Sequence, residues 1–407
     1  MAGTIREGLK LLRDPNFAKL FTAYLITYTG SAMAPIAIAF GVLDLTGSTR
    51  ESSFVLASPV VAQIIIIMIG GAIADRTSRQ KVMVTADFIA ALSQGTVAAL
   101  FLTGTATVPL LIAMMLINGA CHAFHQPASV GFIPQVVPLD KLQSANALLG
   151  AARSSATMIG AALAGILVAA FGAGLTLAID AASFLFAGLL IASLKARAQA
   201  KTEPASMLED LRLGAREFFS HQWLWTIVLQ FTILIMGLEA LFALIGPAIT
   251  RDVMGGAKDW GLIMTGFGAG TILGGIIAMR LRIERPMLVA TIAVFFWAPL
   301  AMLMTIPAHL YVLVGAAFVH GITGQIFGVL WNTTLHTRIP SHMLSRVSAY
   351  DHLGSVAMAP VGVVLAGMFY EDIGRAATLW IIVASILVPT VLVLFVPDVR
   401  RMRAVHH

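Results

Sequence analysis

Residues 70 to 83 read GGAIADRTSRQKVM and carry Asp75, Arg76, Arg79 and Lys81 within seven positions, in a chain with only 11% charged residues. Cations alone would mark a plain loop. An aspartate beside glycines adds the means for an ion network that forms and breaks. Other residues with chemical potential are few. Cys121, His122 and His125 offer three metal donors on one helical turn, but adjacent helical residues point roughly 100° apart. No acidic or histidine cluster elsewhere completes a set, so no metal is expected. The stretch GFGAG lacks the strand–turn–helix context of a nucleotide loop; Gly266, Gly270 and Gly274 instead form a ladder on one helix face, suited to close helix packing. No G-x-x-x-x-G-K-[ST] stretch and no nucleophile–base set is present, so the chain is expected to be neither an ATP motor nor an enzyme, and to need no cofactor.

The elements that must position these residues follow from composition. The 407 residues are 58% hydrophobic with mean hydropathy +0.89, whereas soluble domains are about 25% charged. A surface so poor in charge must face lipid. One cysteine, Cys121, excludes an intrachain disulfide. Arg6, Lys10, Arg13 and Asp14 precede an apolar run too long for a secretory signal. A bilayer core of about 30 Å needs about 20 apolar residues as helix. Twelve such runs are predicted, at about 17–43, 52–74, 82–104, 107–128, 145–171, 174–194, 223–250, 260–280, 287–306, 309–334, 346–369 and 377–396. The fourth, with His122, His125 and Pro127, and the tenth, ending in Trp331-Asn332-Thr333-Thr334, are the weakest. Prolines such as Pro35, Pro59 and Pro299 are tolerable inside membrane helices.

With the N-terminus inside, all of the 26 Lys and Arg fall on inner segments except Arg50, Arg251, Lys258 and Arg375 outside and Arg153 within a span. That asymmetry is the positive-inside rule. It places both termini in the cytoplasm and accounts for the net charge of +6 without nucleic acid. A polar inner segment, 195–222, divides the chain into six-helix halves, 1–194 and 223–407. The halves repeat: Gly70-Gly71 aligns with Gly274-Gly275, Pro138 with Pro340 and Leu142 with Leu344, at offsets of 202 to 204 residues. The expected fold is therefore an all-α polytopic membrane protein of twelve transmembrane helices in two parallel repeats, the architecture of a rocker-switch transporter.

On these residues a family resemblance rests. Gly71-x-x-x-Asp75-Arg76-x-x-Arg79-x-Lys81 resembles motif A of the major facilitator superfamily, with Ser78 where glycine is usual and Gln80 where a basic residue is usual. The stretches DPNFAKLFTAYLITYTGSAM, IDAASFLFAGLLI and VLWNTTLHTRIPSHMLSRV are similar to the bacterial branch holding the enterobactin exporter and macrolide-efflux proteins. The fifth-span stretch IGAALAG resembles the antiporter motif, with Ala161 in place of its proline. The resemblance implies that Asp75, at a helix end where a carboxylate opposes the local dipole, meets the start of the eleventh helix near Ser345–Ser348. Arg76 and Arg79 would complete a latch on the cytoplasmic gate.

Isolated ionisable residues at membrane depth cost about 2.5–3.5 kcal/mol on insertion scales and are functional candidates by default. Arg153, ~13 Å into the fifth span at 1.5 Å per residue, reads either as a substrate-anion contact or switchable pair, or as a static pair within its half. Asp87 reads first as a partner of the loop arginines and second as a proton carrier. Asp180 reads as structural. Glu239, on a seventh helix that lines the cavity by family pattern, is the first choice for proton coupling. Asp351 either couples protons or neutralises Arg346 or Arg338, and His320 is a candidate cavity residue. The leading expectation is a proton-coupled exporter of an amphipathic small molecule, a drug or siderophore. It would be a monomer in the bacterial inner membrane, with lipid, protons and substrate as partners and no nucleic acid. The alternatives are proton-coupled uptake or transport of a lipid-like substrate, and a non-transporting sensor or scaffold.

Overall fold

The structure is a computed structural model that describes residues 10–195, 207–281, 283–340 and 343–404; the side chains of 67–76, 139, 207–211, 345 and 356 lie outside that description. Among the described residues all regular structure is helical. The helices are α1 (Pro15–Thr46), α2 (Thr49–Arg76), α3 (Arg79–Thr103), α4 (Val108–Val136), α5 (Leu142–Ala192), α6 (Met207–Ser220), α7 (Gln222–Val253), α8 (Ala257–Ala278), α9 (Pro286–Leu303), α10 (Leu310–Arg338), α11 (Leu344–Val356 and Ala359–Asp372), α12 (Arg375–Leu394) and α13 (Pro397–Arg401).

Ten of these are long and apolar enough to cross a membrane. The 51 residues of α5 would measure ~77 Å as one helix, far more than a bilayer core, and the chain reverses at Gly172, whose φ of 78° is open to glycine at no steric cost. That break makes α5 the fifth and sixth spans. With the 28 residues of α2, the twelve-helix architecture follows. The two weakly marked spans are continuous helices: α4 accommodates Pro127 and Pro134, and α10 runs on through Asn332 to Arg338.

Local rules place the ends. Asp14 accepts from the backbone N–H groups of Asn16 and Phe17, with Pro15 following it at the first helical position. Gly47 and Gly104, with φ of 69° and 70°, terminate α1 and α3. Ser78 caps the start of α3.

The chain divides into two compact units: α1–α5 together with residues 250–261, and α6, α7 to Ile249 and everything from Leu262. Within the first, Phe17, Leu20, Tyr24, Met83, Phe132, Leu148 and Ile191 form a core joining α1, α3, α4 and α5. Arg251 donates to Asp44 at 2.6 Å, and Gly165 meets the backbone of Gly261, which explains why 250–261 belongs there. Its prolines Pro35, Pro59, Pro127 and Pro134 sit inside unbroken helices. In the second unit three spans are interrupted instead. A π-turn at Leu241–Ile245 precedes Pro247, a 3-10 turn at Phe295–Trp297 precedes Pro299, and α11 breaks ahead of Pro360. Each proline lacks the N–H its helix needs four residues back.

Leu92, Ile65 and Phe395 expose 74%, 68% and 72% of their surface. Apolar exposure on this scale is incompatible with water and matches a lipid-facing bundle.

Candidate functional site

The turn between α2 and α3 holds the charged stretch. Gly71, Asp75 and Arg76 belong to the last turns of α2, but their side chains, like that of Ser345, lie outside the described residues. Arg79 and Lys81 occupy the first turn of α3, where the helix dipole disfavours cations. Arg79 has a compensating contact: its guanidinium donates at 2.6 Å to the carbonyl of Gly131, near the C-terminal end of α4. A side chain at Gly131 would collide with that guanidinium. Lys81 is exposed. Gln80, standing where a basic residue is usual, sends its amide to the carbonyls of Ile191 and Leu194 at 2.8 and 2.9 Å. These are the orphan acceptors of the α5 terminus. The turn thus caps the end of α5 and is tied to the last turns of α4, and the capping role of Gln80 is not visible in the sequence.

Deeper in the same unit, Asp87 is buried and meets His125 Nε2 through Oδ1 at 3.3 Å. His122 presents its ring to Phe184, and Cys121 packs with Ala86, Ala90 and Phe184. The three donors thus turn to different partners, and among the described residues no group of three or more potential metal ligands is gathered. Two turns further along α3, Gln94 donates to Asp180 Oδ2 at 2.9 Å, and Ser183 donates to Oδ1 at 3.4 Å. Arg153 is exposed and lies 5.3 Å from the ring centroid of Tyr28. Its described partner is an aromatic face.

In the second unit Glu239 is exposed on α7, two residues before the π-turn, with no hydrogen-bond partner among the described residues. Asp351 accepts from Trp331 Nε1 at 3.0 Å. His320 is buried and stacks on Trp297 at 5.0 Å and 11°, with Phe242 and Phe267 edge-on at 5.4 and 5.3 Å. Phe242 comes from the π-turn and Trp297 from the 3-10 turn, so the two helix irregularities deliver rings to one histidine. The rings continue through Phe231, Phe327 and Trp331 to Trp223. The sequence reading names His320 but misses this ladder. The one available signal is the helical spacing of His320, Phe327 and Trp331.

The candidate residues divide between the two units. Asp87 and Arg153 belong to the first unit, and Glu239, His320 and Asp351 to the second.

Such a fold, twelve apolar helices with ionisable groups set singly among them, defines a membrane transporter of the major facilitator class. A family model described as transmembrane secretion effector, within that superfamily, matches residues 7–406, and the chain belongs to this family. It is 25% identical to the multidrug efflux pump Tap of Mycolicibacterium fortuitum, over 96% of this chain and 97% of that one. It is 21% identical to macrolide efflux protein A of Streptococcus pyogenes, over 88% and 90% respectively. The crystal structure of a bacterial homologue of the iron transporter ferroportin superposes with a TM-score of 0.72 at 17% identity, covering 94% of this chain and 98% of that one, which speaks to the fold alone.

Proposed function

We propose that this protein is a proton-driven exporter of amphipathic small molecules, a drug or siderophore, working as a monomer by alternating access. It lies in the bacterial inner membrane with both termini in the cytoplasm. The observation that carries the reading is end-to-end similarity to efflux pumps, over 96% of the chain for the multidrug pump. The asymmetric placement of Lys and Arg supports the orientation. In this reading the two six-helix halves, 1–194 and 223–407, are the moving bodies, and the polar segment 195–222 tethers them.

Gly71, Asp75, Arg76, Arg79 and Lys81 form the cytoplasmic gate. The Arg79 and Gln80 contacts support this, because they tie the α2–α3 turn to the ends of α4 and α5. A rigid turn can transmit the state of a latch to the whole half. Glu239 is the coupling residue. Its exposed carboxyl, without a described partner, is free to exchange a proton for a substrate cation. The rings around His320 suit planar or lipophilic cations through their negative faces. Arg153 and Asp351 tune this chemistry, the one from a tyrosine face and the other from a tryptophan N–H.

Everted membrane vesicles test the proposal. With the interior acidified, a macrolide or lipophilic cation should accumulate, a protonophore should release it, and Glu239→Gln should abolish uptake while the protein still inserts. Accumulation indifferent to the proton gradient, or confined to sugars or lysolipids, overturns it.

A further inference from the structure

The gate and the coupling carboxyl leave one buried ionisable pair without a task. Asp87 keeps 3% of its side chain exposed and His125 keeps 21%, with Nε2 and Oδ1 3.3 Å apart. The carboxyl oxygen Oδ2 is buried and has no hydrogen-bond partner among the described residues. A carboxylate half satisfied in an apolar bundle is costly, and a structural salt bridge does not normally leave one oxygen bare. The pair is placed by helix geometry. Asp87 lies eight residues into α3 from Arg79, and His125 lies eleven from the end of the antiparallel α4 at Val136.

The same two helices carry a second polar level. Gln94 lies seven residues on from Asp87 and Asn118 seven back from His125, so each is ~10 Å further along its helix. Gln94 Oε1 and Asn118 Nδ2 are also buried without a partner among the described residues, while the Gln94 amide holds Asp180 on α5. Buried orphan atoms at two successive levels are what ordered water satisfies. A run of single polar groups reaching inward from a partly exposed imidazole is the form a proton path takes.

We propose that Asp87 and His125 form one proton-binding centre inside the first unit, with His125 as the water-facing relay and Asp87 as the buried store. The step balances on the atoms present. With Asp87 ionised and His125 neutral, Nε2–H donates to Oδ1. A hydronium ion delivers its proton to Nδ1 and leaves as water, the Nε2 proton passes to Oδ1, and Nε2 then accepts the hydrogen bond from the new carboxylic O–H. The charge of the pair goes from −1 to 0, and rotation of the imidazole resets the relay. Uptake removes the charge that the bare Oδ2 would otherwise share unsolvated. The other titratable groups facing the pair are Tyr24 of α1, whose hydroxyl donates to the Ser129 carbonyl, and Cys121 and His122 of α4. From α5 the neighbours are the uncharged Phe184 and Gly188.

This centre is separate from Glu239 and stands whether or not Glu239 couples transport. The test is a pH titration of the full-length protein in lipid nanodiscs, followed by infrared absorption of the carboxylic C=O stretch. A band that grows as pH falls should be lost in Asp87→Asn and persist at a changed frequency in Asp87→Glu. Its midpoint should move by about one pH unit in His125→Gln, as expected for loss of a neighbouring titrating partner. Glu239→Gln should leave the band intact. A band that survives Asp87→Asn, or a midpoint unmoved in His125→Gln, overturns the centre. Should Asp87→Asn fail to fold, Asp87→Glu and His125→Gln decide alone. A band removed only by Glu239→Gln sinks this proposal and leaves the coupling reading standing.

Discussion

The packing of α8 against α10 makes a sharp quantitative test of the fold. Gly266, Gly270 and Gly274 face the backbone of α10 at Val314, Phe318 and Ile322. A Cβ at Gly270 would overlap the Phe318 carbonyl oxygen and lie 2.8 Å from its carbon and 3.0 Å from its Cα. Those atoms are backbone and cannot rotate aside, so Gly270→Ala must push two helices apart. Overpacking of this kind costs roughly 1–3 kcal/mol, and rigid neighbours put this site at the upper end. Replacing a helical glycine with alanine returns up to about 1 kcal/mol of propensity. The net loss is therefore ~2 kcal/mol, or a fall in Tm of ~4–8 °C for a unit of this size. Gly275→Ala and Gly328→Ala are the controls. A Cβ at Gly275 meets only Gln325 Cγ at 3.7 Å, and one at Gly328 meets nothing within 4 Å. Both should match or exceed the wild-type Tm. The assay is thermal unfolding in detergent, read by tryptophan fluorescence. Equal behaviour of Gly270→Ala and Gly275→Ala would refute the ladder, because helix propensity alone treats the two alike.

Three further outcomes follow from the polar contacts. Gln80→Leu should lower stability by about 1–2 kcal/mol through loss of two carbonyl caps, whereas Gln80→Lys keeps a donor and should lose less in the same melt. Asp180→Leu should be strongly destabilising, because it strands the buried Gln94 amide. In the double variant Gln94→Leu/Asp180→Leu the loss should fall short of the sum of the two singles by at least ~1 kcal/mol, and strict additivity would show that the 2.9 Å contact carries no coupling. Asp75→Asn, which keeps the side-chain volume, should melt within about 0.5 kcal/mol of wild type, yet lose flux in everted vesicles. Retained flux would remove the latch.

The bilayer made the fold legible. A span is ~20 residues of one polarity, and alternating Lys and Arg segments order the spans, so twelve helices can be counted with no packing information at all. Even the reversal at Gly172 is visible as a gap between two apolar runs. The candidate site was legible only in part, because periodicity says which residues share a helix face and not which face of another helix they meet. His125 reads in the sequence as a hydrogen-bonded histidine without a named partner, and its carboxylate partner lies 38 positions away across an antiparallel pair. Gln80 looked like a departure from a pattern, and only the position of the α5 terminus reveals its amide as a cap. The rings around His320 come from three other helices, and two of them sit on turns forced by Pro247 and Pro299. Those turns depend on which prolines break a helix. In the first unit Pro59 and Pro127 do not.

That difference between the units bears on where chemistry resides. The first unit sets each of its buried carboxyl groups against a polar side chain: Asp87 against His125 and Asp180 against Gln94. Pairs of this kind respond to protons, because adding or removing one changes the charge a partner must answer. The second unit surrounds its buried histidine with rings and leaves His320 Nδ1 and Trp297 Nε1 without partners among the described residues. Stacked rings respond weakly to pH and strongly to flat or cationic guests. The proline-induced turns that deliver those rings are also where the backbone departs from the helical ladder, so it can shift without breaking a regular span. An exporter needs groups that read protons, here proposed to be Glu239 and the Asp87–His125 pair, and a surface that tolerates many apolar shapes. A charge-neutral variant of the first unit such as Asp87→Asn should alter the pH dependence of efflux while sparing the range of compounds carried. Removing a ring in the second, as in Phe242→Ala, should do the reverse.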